Sequence, residues 1–510
     1  MAEPELGDPI AGARAPGTVS LVGAGPGDAG LLTVRGRALL DAADAVIYEH
    51  RRQRALVPED AERFYVGPRR NGDRPARSAI RQLAVALARE GRNVVYLLRG
   101  DPFSFGRGSE VAQALHDAGI PFEVVPGVTT GVAAASYAGI PLVSPSLAAT
   151  TVFASGRAVA RQAAPTDWAA VARLGGTVVV RDAAPALASI IEGFAEAGIP
   201  SEMPTAIVSH AGATQQRAIV GTLETLARDV TRAGGRYTLL IGWTVLLRDE
   251  LAWFERRPLF GRRIVLARAP YAPENVADRL RTLGADVIEV PMPRVARIDS
   301  EPLRAELERL GEIEWLVFGS PDAVEAVWEQ LLAVGRDTRA LGPVRVAAVG
   351  AATAAALLDR GVTVDVVQER FGALALVDLL TERADVPGAV MLYVGDEEIA
   401  ESFGRDLETT GASVTTVSPY RSVPAERREA AFRRGLERRG ADLVVATSAS
   451  AVEGYLRAAG DELVGTIPAA ASGADTSAAL RDGGAEVVIE TASGTDALMA
   501  AVRARFEREE

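Results

Sequence analysis

The chain has 510 residues, 48% hydrophobic and 24% charged, with a formal net charge of -12; at roughly 150 residues per domain, that leaves room for about three domains of ordinary globular composition. It has no cysteine and its 55 basic residues are all arginine, which excludes thiolate nucleophiles, iron–sulfur clusters, disulfides, cysteine-ligated zinc and lysine Schiff bases. The acidic balance argues against nucleic acid as a partner, because duplex binding rests on neutralising phosphates, but an anionic small molecule is compatible wherever arginines cluster.

Residues 1–17 read as a loose tail and carry acids where a secretory signal carries basic residues, so a cytoplasmic protein is expected. No apolar run reaches the ~18 residues of a membrane span; the longest, YTLLIGWTVLL, stops at Arg248. From 18 to 250 short apolar runs alternate with amphipathic ones. TVSLVGAG, DAVIYEH and RNVVYLLRG predict strands, and LLTVRGRALLDAA and GSEVAQALHDAG predict helices, an α/β pattern. Residues 251–261, rich in arginine and aromatics, break the rhythm and are expected to be a linker.

After the linker the chain nearly repeats itself. WLVFGSPDAVEAVWEQL (315–331) parallels LVVATSASAVEGYLRAA (443–459), and AAVGAATAAALLDRGVTVDVV (347–367) parallels AAASGADTSAALRDGGAEVVI (469–489). Two similar α/β lobes are expected, with a small-ligand cleft between them. His50, His116 and His210 are scattered, and no metal site is expected.

SLVGAGPGDAGLLTVRG, residues 20–36, sets Gly23, Gly25 and Gly27 between a strand and a helix, where backbone amides can approach a ligand. A dinucleotide fingerprint is one reading, with Glu49 placed to meet a ribose. Pro26 inside the turn and Asp28 at a position that wants Gly or Ala argue against it. RGDPFSFGRGSE (99–110) and VVPGVTTGVAAASYAGIPL (124–142) follow at the ends of later strands. Together with GAGPGD, these motifs resemble the tetrapyrrole methylase family, and most closely its uroporphyrinogen-III C-methyltransferases, over about 20–250.

The resemblance implies a two-subdomain methylase fold over 18–250 with S-adenosylmethionine as cofactor and S-adenosylhomocysteine as product. It assigns Pro26, Arg99, Gly100, Asp101, Ser104, Thr129, Thr130, Asp182 and Ala211 to the cofactor site, with Asp101 accepting bonds from the ligand, and it implies a homodimer. Glu49 is the candidate proton acceptor, and the arginines between Arg51 and Arg77 are a candidate entrance for a polycarboxylate. The chain departs from the family at Glu49, where an aspartate is usual, at Pro68, where a proposed proton-donor lysine falls, at Arg99, where a glycine faces the cofactor, at Val143, Ser144 and Pro145, and at Asp182, where a methionine is usual. A degenerate, non-catalytic methylase scaffold is therefore the alternative reading, and a dinucleotide-dependent reductase fused to ligand-sensing lobes is a second.

Residues 262–505 resemble uroporphyrinogen-III synthase through VLARAP, GSPDAV, VGAATAAAL, SPYRS, ATSASAV and SGADTSAAL. That resemblance implies a bilobal α/β fold, one lobe from 262–291 plus 424–505 and the other from 294–420. It implies closure of hydroxymethylbilane to uroporphyrinogen III with inversion of ring D and no cofactor. Ser320, Thr353, Thr447, Ser448, Ser450 and Thr476 are expected to point hydroxyls into the cleft, Tyr420 to assist the departing hydroxyl, and Arg268 to bind substrate or serve structure. The product of the second half would then feed methylation at C2 and C7 to precorrin-2, toward sirohaem or cobalamin.

Overall fold

A computed structural model describes residues 16–508 except 59, 70, 71, 74, 106, 107, 160–165, 234, 269–275, 299, 369–373, 384 and 424. Of the expected tail, 1–15 lie outside the described residues. The chain divides into two units, one running to Arg257 and the other starting at Pro258.

In the first unit, β1 (Val19–Gly23), β2 (Ala45–Tyr48), β3 (Glu62–Tyr65), β4 (Val94–Leu98) and β5 (Phe122–Val125) form a parallel sheet in the order β3-β2-β4-β1-β5. The apolar runs VSLVG, AVIY and VVYLL are buried at every residue, as strands covered on both faces must be. One face packs Ile80, Leu87 and Leu115 against Leu21, Ile47 and Tyr96, and the other packs Leu40 against Val22, Val46 and Leu97. Adjacent β1 and β4 send their connections to opposite edges of the sheet, so their carboxyl ends form the switch point where open α/β sheets take ligands.

A second sheet follows: β6 (Thr151–Ser155), β7 (Thr177–Arg181), β8 (Pro204–Ser209), β9 (Arg217–Thr222) and β10 (Tyr237–Ile241), in the order β6-β7-β10-β8-β9. Strand β10 runs antiparallel to both β7 and β8, so those two strands end on the same edge. The small side chains of helix Thr130–Tyr137 let it lie close on this sheet, with Ala134, Ala135 and Ala138 against Val179, Ala206 and Leu240. The helix thereby fixes the second sheet to the first.

The segment expected to be a linker is packed at both ends. The Tyr137 ring lies 5.6 Å from that of Trp253 and 4.6 Å from that of Phe254, while Leu259 is fully buried in the second unit. Burying large apolar surface outweighs the freedom of a spacer here.

In the second unit, β11 (Arg263–Ala267), β12 (Asp286–Glu289), β19 (Leu443–Ala446), β20 (Ala469–Ser472) and β21 (Val487–Thr491) form one parallel sheet, ordered β12-β11-β19-β20-β21. The other, ordered β13-β18-β17-β14-β15-β16, contains β13 (Arg294–Arg297), β14 (Trp315–Phe318), β15 (Arg345–Val349), β16 (Val366–Gln368), β17 (Val390–Asp396) and β18 (Ser413–Val423), with β13 antiparallel at its edge. The repeated segments give equivalent strand–helix units in different sheets: β14 with helix Pro321–Ala333, and β19 with helix Ala449–Ala459. Strand β18 runs to Val423, so the second lobe's sheet extends three residues past the expected 420.

Candidate functional site

The glycine motifs meet at the carboxyl ends of β1 and β4, and their first neighbour is backbone. The Gly25 N–H donates to the Gly100 carbonyl at 3.2 Å, and the Gly100 N–H to the Gly25 carbonyl at 2.8 Å. A Cβ on Gly127 would stand 2.4 Å from the Gly100 oxygen and 2.7 Å from the Gly23 oxygen. Three loops thus pack main chain on main chain. At Gly27 nothing lies within 4 Å of a Cβ position, so that part of the loop faces open space.

Asp101 was expected to meet a ligand, but its carboxylate is engaged within the chain. Its Oδ1 accepts from the Phe103 N–H at 2.9 Å, the Ser104 N–H at 2.7 Å and the Ser104 hydroxyl at 2.9 Å, and its Oδ2 accepts from the Gly127 N–H at 3.2 Å. Burial acts to raise its pKa, yet these bonds from Ser104, Gly127 and Phe103 together hold it below the usual value. Asp101 and Ser104 are therefore loop-fixing residues. Asp28, unsuited to a dinucleotide loop, accepts from the Gly30 N–H at 2.8 Å and from the Tyr137 hydroxyl at 2.7 Å, tying the loop to the helix below.

Above these loops is a cavity of about 700 Å³, walled by carboxyl-end residues of both sheets. It gathers Arg77, Arg99, Arg157, Arg181 and Arg236 around Glu49, Glu110 and Asp182, so a chain of net charge -12 has a local excess of cations here. A second cavity of about 440 Å³ runs along Gly25, Pro26 and Gly27. Arg99, Ala211, His50 and His210 line both. Of the expected cofactor residues, Pro26 lines the smaller, Thr130 and Asp182 the larger, and Arg99 and Ala211 both, while Gly100, Asp101, Ser104 and Thr129 line neither. In the basic stretch, Arg77 lines the larger and Arg51 and Arg52 the smaller, whereas Arg70 and Arg74 lie outside the described residues.

The acids of the larger cavity are held. Glu49 accepts from the Tyr96 hydroxyl at 2.6 Å, Glu110 pairs with Arg77 at 2.5 Å, and Asp182 with Arg157 at 3.6 Å. Arg181 donates to the Phe105 carbonyl at 3.3 Å and sits over the Phe105 ring. Arg99 has no side-chain hydrogen bond or ion pair among the described residues. Burial, then the nearby Arg181 and Arg236, hold its guanidinium below the ordinary value, with Asp182 acting the other way.

Sequence reasoning missed His50, His210, Arg157, Arg181 and Arg236. His50 and His210 were read as scattered, yet they meet at these cavities because β2 and β8 end there. Among the described residues, only Asp182, at φ 51, and His210, at φ 53, are non-glycine with positive φ. Both line the larger cavity, and such strain collects at functional sites.

In the second unit, the Ser320 and Tyr420 hydroxyls are 2.7 Å apart across the carboxyl ends of β14 and β18. Ser320 also caps helix Pro321–Ala333 at 3.2 Å and Ser448 caps helix Ala449–Ala459 at 3.3 Å, with Ser450 beside it at 3.2 Å. Arg268 pairs with Glu289 at 3.0 Å, and the Thr447 hydroxyl donates to the Ala267 carbonyl at 3.5 Å. Thr353 departs from expectation: it is buried and donates to the Val349 carbonyl at 2.7 Å, a back-bond within its own helix start. Thr476 is also buried.

Residues 18–227 match the family profile "Tetrapyrrole (Corrin/Porphyrin) Methylases", and 274–500 match "Uroporphyrinogen-III synthase HemD". The porphyrin biosynthesis protein HemD of Ruminiclostridium josui is 30% identical over 490 residues, covering 95% of this chain and 97% of its own length. Siroheme synthase 1 of Yersinia pseudotuberculosis is 41% identical over 248 residues, 48% of this chain and 52% of that protein, so this chain spans about half of that relative. A uroporphyrin-III C-methyltransferase of Thermus thermophilus, solved with S-adenosylhomocysteine, is 33% identical over 45% of this chain and all of its own, with a TM-score of 0.39. A uroporphyrinogen III synthase mutant from the same bacterium is 21% identical over 49% of this chain and all of its own, also with a TM-score of 0.39. A methylase match in the first unit, a synthase match in the second and a relative alike over almost its whole length establish that the chain belongs to the family joining a tetrapyrrole methylase to a uroporphyrinogen-III synthase, a bifunctional enzyme of tetrapyrrole biosynthesis.

Proposed function

We propose that the second unit closes hydroxymethylbilane to uroporphyrinogen III with inversion of ring D, and that the first methylates this product at C2 and C7 to precorrin-2. The observation that carries the methylation is the arginine-lined cavity directly above the glycine loops. A reduced tetrapyrrole with carboxylate side chains is a large polyanion, and arginine forks suit carboxylates. S-adenosylmethionine, when bound, would supply an electrophilic methyl on a sulfonium. The smaller cavity fits such a group: Gly27 leaves its wall open, Ala211 and Ala213 are small, and its 440 Å³ is the size of an ordinary small-molecule site.

The chain's own part is positioning and proton handling. Pro26 and the paired loops at Gly25 and Gly100 would hold the cofactor, and the arginines would set a pyrrole carbon in line with its methyl. As the new carbon–carbon bond forms, the ring becomes cationic and must release a proton. Glu49, fixed by Tyr96, is the carboxylate we assign to accept it. In the second unit Tyr420 is kept protonated, because burial first, then Tyr393, Asp322 and Asp396, push its pKa up despite the opposing bond from Ser320. It is thus a donor toward the departing hydroxyl of the bilane.

Homodimerisation through the first unit and a cytoplasmic location belong to the same proposal; no helix among the described residues is long and apolar enough to cross a membrane. The test feeds the full chain hydroxymethylbilane with and without S-adenosylmethionine and weighs the products. A doubly methylated product only with the cofactor supports the proposal. Unmethylated uroporphyrinogen III in both arms would favour the non-catalytic methylase, for which Pro68 speaks.

A further inference from the structure

We propose that Arg99 is the substrate-positioning residue of the methylase half: its guanidinium holds one carboxylate of the tetrapyrrole at the wall shared by the two cavities. This rests on the reading of the first unit given above. Of the four residues lining both cavities, Arg99 is the only one that carries a fixed charge. Three of the other four arginines of the larger cavity have contacts in the chain: Arg77 has Glu110, Arg157 has Asp182, and Arg181 has the Phe105 carbonyl and ring. Exposed Arg236 adds to the positive field. Arg99 has no such contact among the described residues. A half-buried guanidinium facing several cations, with only Asp182 acting the other way, is costly unless a further anion arrives.

The backbone beneath it is fixed. Leu98 ends β4, and Gly100 is bonded on both its N–H and its carbonyl to Gly25. The Arg99 side chain therefore starts from the point where the two glycine loops cross, beside the proposed methyl donor. The cofactor could present a carboxylate of its own, but its sulfonium and α-amino groups make it a net cation, which a ring of arginines disfavours. The polycarboxylate substrate has the complementary charge. A glycine at 99, which the family resemblance expects, would supply no such contact, so this chain's substrate grip differs from that pattern at one identified residue.

The experiment compares the full-length chain with Arg99→Gly and Arg99→Lys, each checked for an unchanged melting profile. Three quantities are measured: binding of uroporphyrin III, an oxidised octacarboxylate that does not turn over; binding of S-adenosylhomocysteine; and kcat and KM for uroporphyrinogen III. In Arg99→Gly, uroporphyrin binding should weaken and KM rise by about 10- to 100-fold, the scale of charge-assisted hydrogen bonds, with S-adenosylhomocysteine affinity unchanged. Arg99→Lys should recover part of the loss, because it keeps the charge without the fork. Equal weakening of S-adenosylhomocysteine would overturn the proposal by assigning the guanidinium to the cofactor's carboxylate. Tighter uroporphyrin binding by Arg99→Gly would overturn it by showing that the side chain obstructs the site. A wild-type chain that binds uroporphyrin but transfers no methyl would refute the methyltransferase reading alone, since the binding contrast between variants still decides Arg99.

Discussion

Gly127→Ala tests whether the glycine loops exist to let backbone pack on backbone. The added Cβ would lie 2.4 Å from the Gly100 oxygen, 2.7 Å from the Gly23 oxygen and 2.8 Å from the Gly23 carbonyl carbon, where ordinary contact begins at 3.4 Å. All three are main-chain atoms, so no side chain can swing aside, and the loops must part by about 1 Å. That displacement stretches the Gly25–Gly100 pair, whose bonds are now 2.8 and 3.2 Å, out of hydrogen-bonding range. Overpacking of this kind costs about 1–3 kcal/mol, and two weakened backbone bonds add about 1 kcal/mol each, giving a local destabilisation of about 3–5 kcal/mol. A shift of ~1 Å in positioning residues is also worth about 10²-fold in catalysis. Hydrogen exchange over peptides containing Gly25, Gly100 and Gly127 would read the first effect, and the rate of S-adenosylmethionine-dependent methyl transfer the second. Wild-type protection together with a wild-type rate in Gly127→Ala would refute the argument that these loops support one another.

Three further outcomes follow from other contacts. Asp101→Asn removes a charge that accepts four hydrogen bonds and should cost about 1–3 kcal/mol at neutral pH. Because the native carboxyl is held below its unfolded value of ~3.9, its stabilisation is present above that pH and is lost as pH falls through the native pKa; denaturation at pH 7 and near pH 3 should show the gap from wild type closing in acid, and an equal gap at both would contradict the assignment. Tyr420→Phe should lower bilane cyclisation by about 10²-fold or more, as loss of a general acid does, while methylation of supplied uroporphyrinogen III is unchanged; unimpaired cyclisation would remove Tyr420 from the mechanism. Tyr137→Phe keeps the ring packed against Trp253 and Phe254 but drops the bond to Asp28, and should cost about 1 kcal/mol; in a double-mutant cycle with Asp28→Ala that loss should vanish, and full additivity would show that the pair is not coupled.

Local chemistry made much of the protein legible from sequence. Strands covered on both faces must be continuously apolar, so VSLVG, AVIY and VVYLL announced themselves, and the echo of 315–331 in 443–459 foretold equivalent strand–helix units, which lie in two different sheets. The glycine, proline and aspartate of the β1 and β4 loops read equally clearly, because tight main-chain packing admits few alternatives. The same pattern pointed Asp101 and Ser104 at a ligand, but sequence does not reveal that the Asp101 carboxylate accepts four bonds from its own surroundings. Thr353 is a similar case, its hydroxyl turned back onto Val349. The cavity itself was legible only in part: the family resemblance brought Glu49, Arg99 and Asp182 to one site, but Arg157 and His210 join them only because strands of two different sheets end on one edge. The chain by itself determined which elements form and which loops are tight; only tertiary structure decided which charges face one another, because that depends on strand order and helix seating, and hence on long-range packing to which no short window of sequence responds.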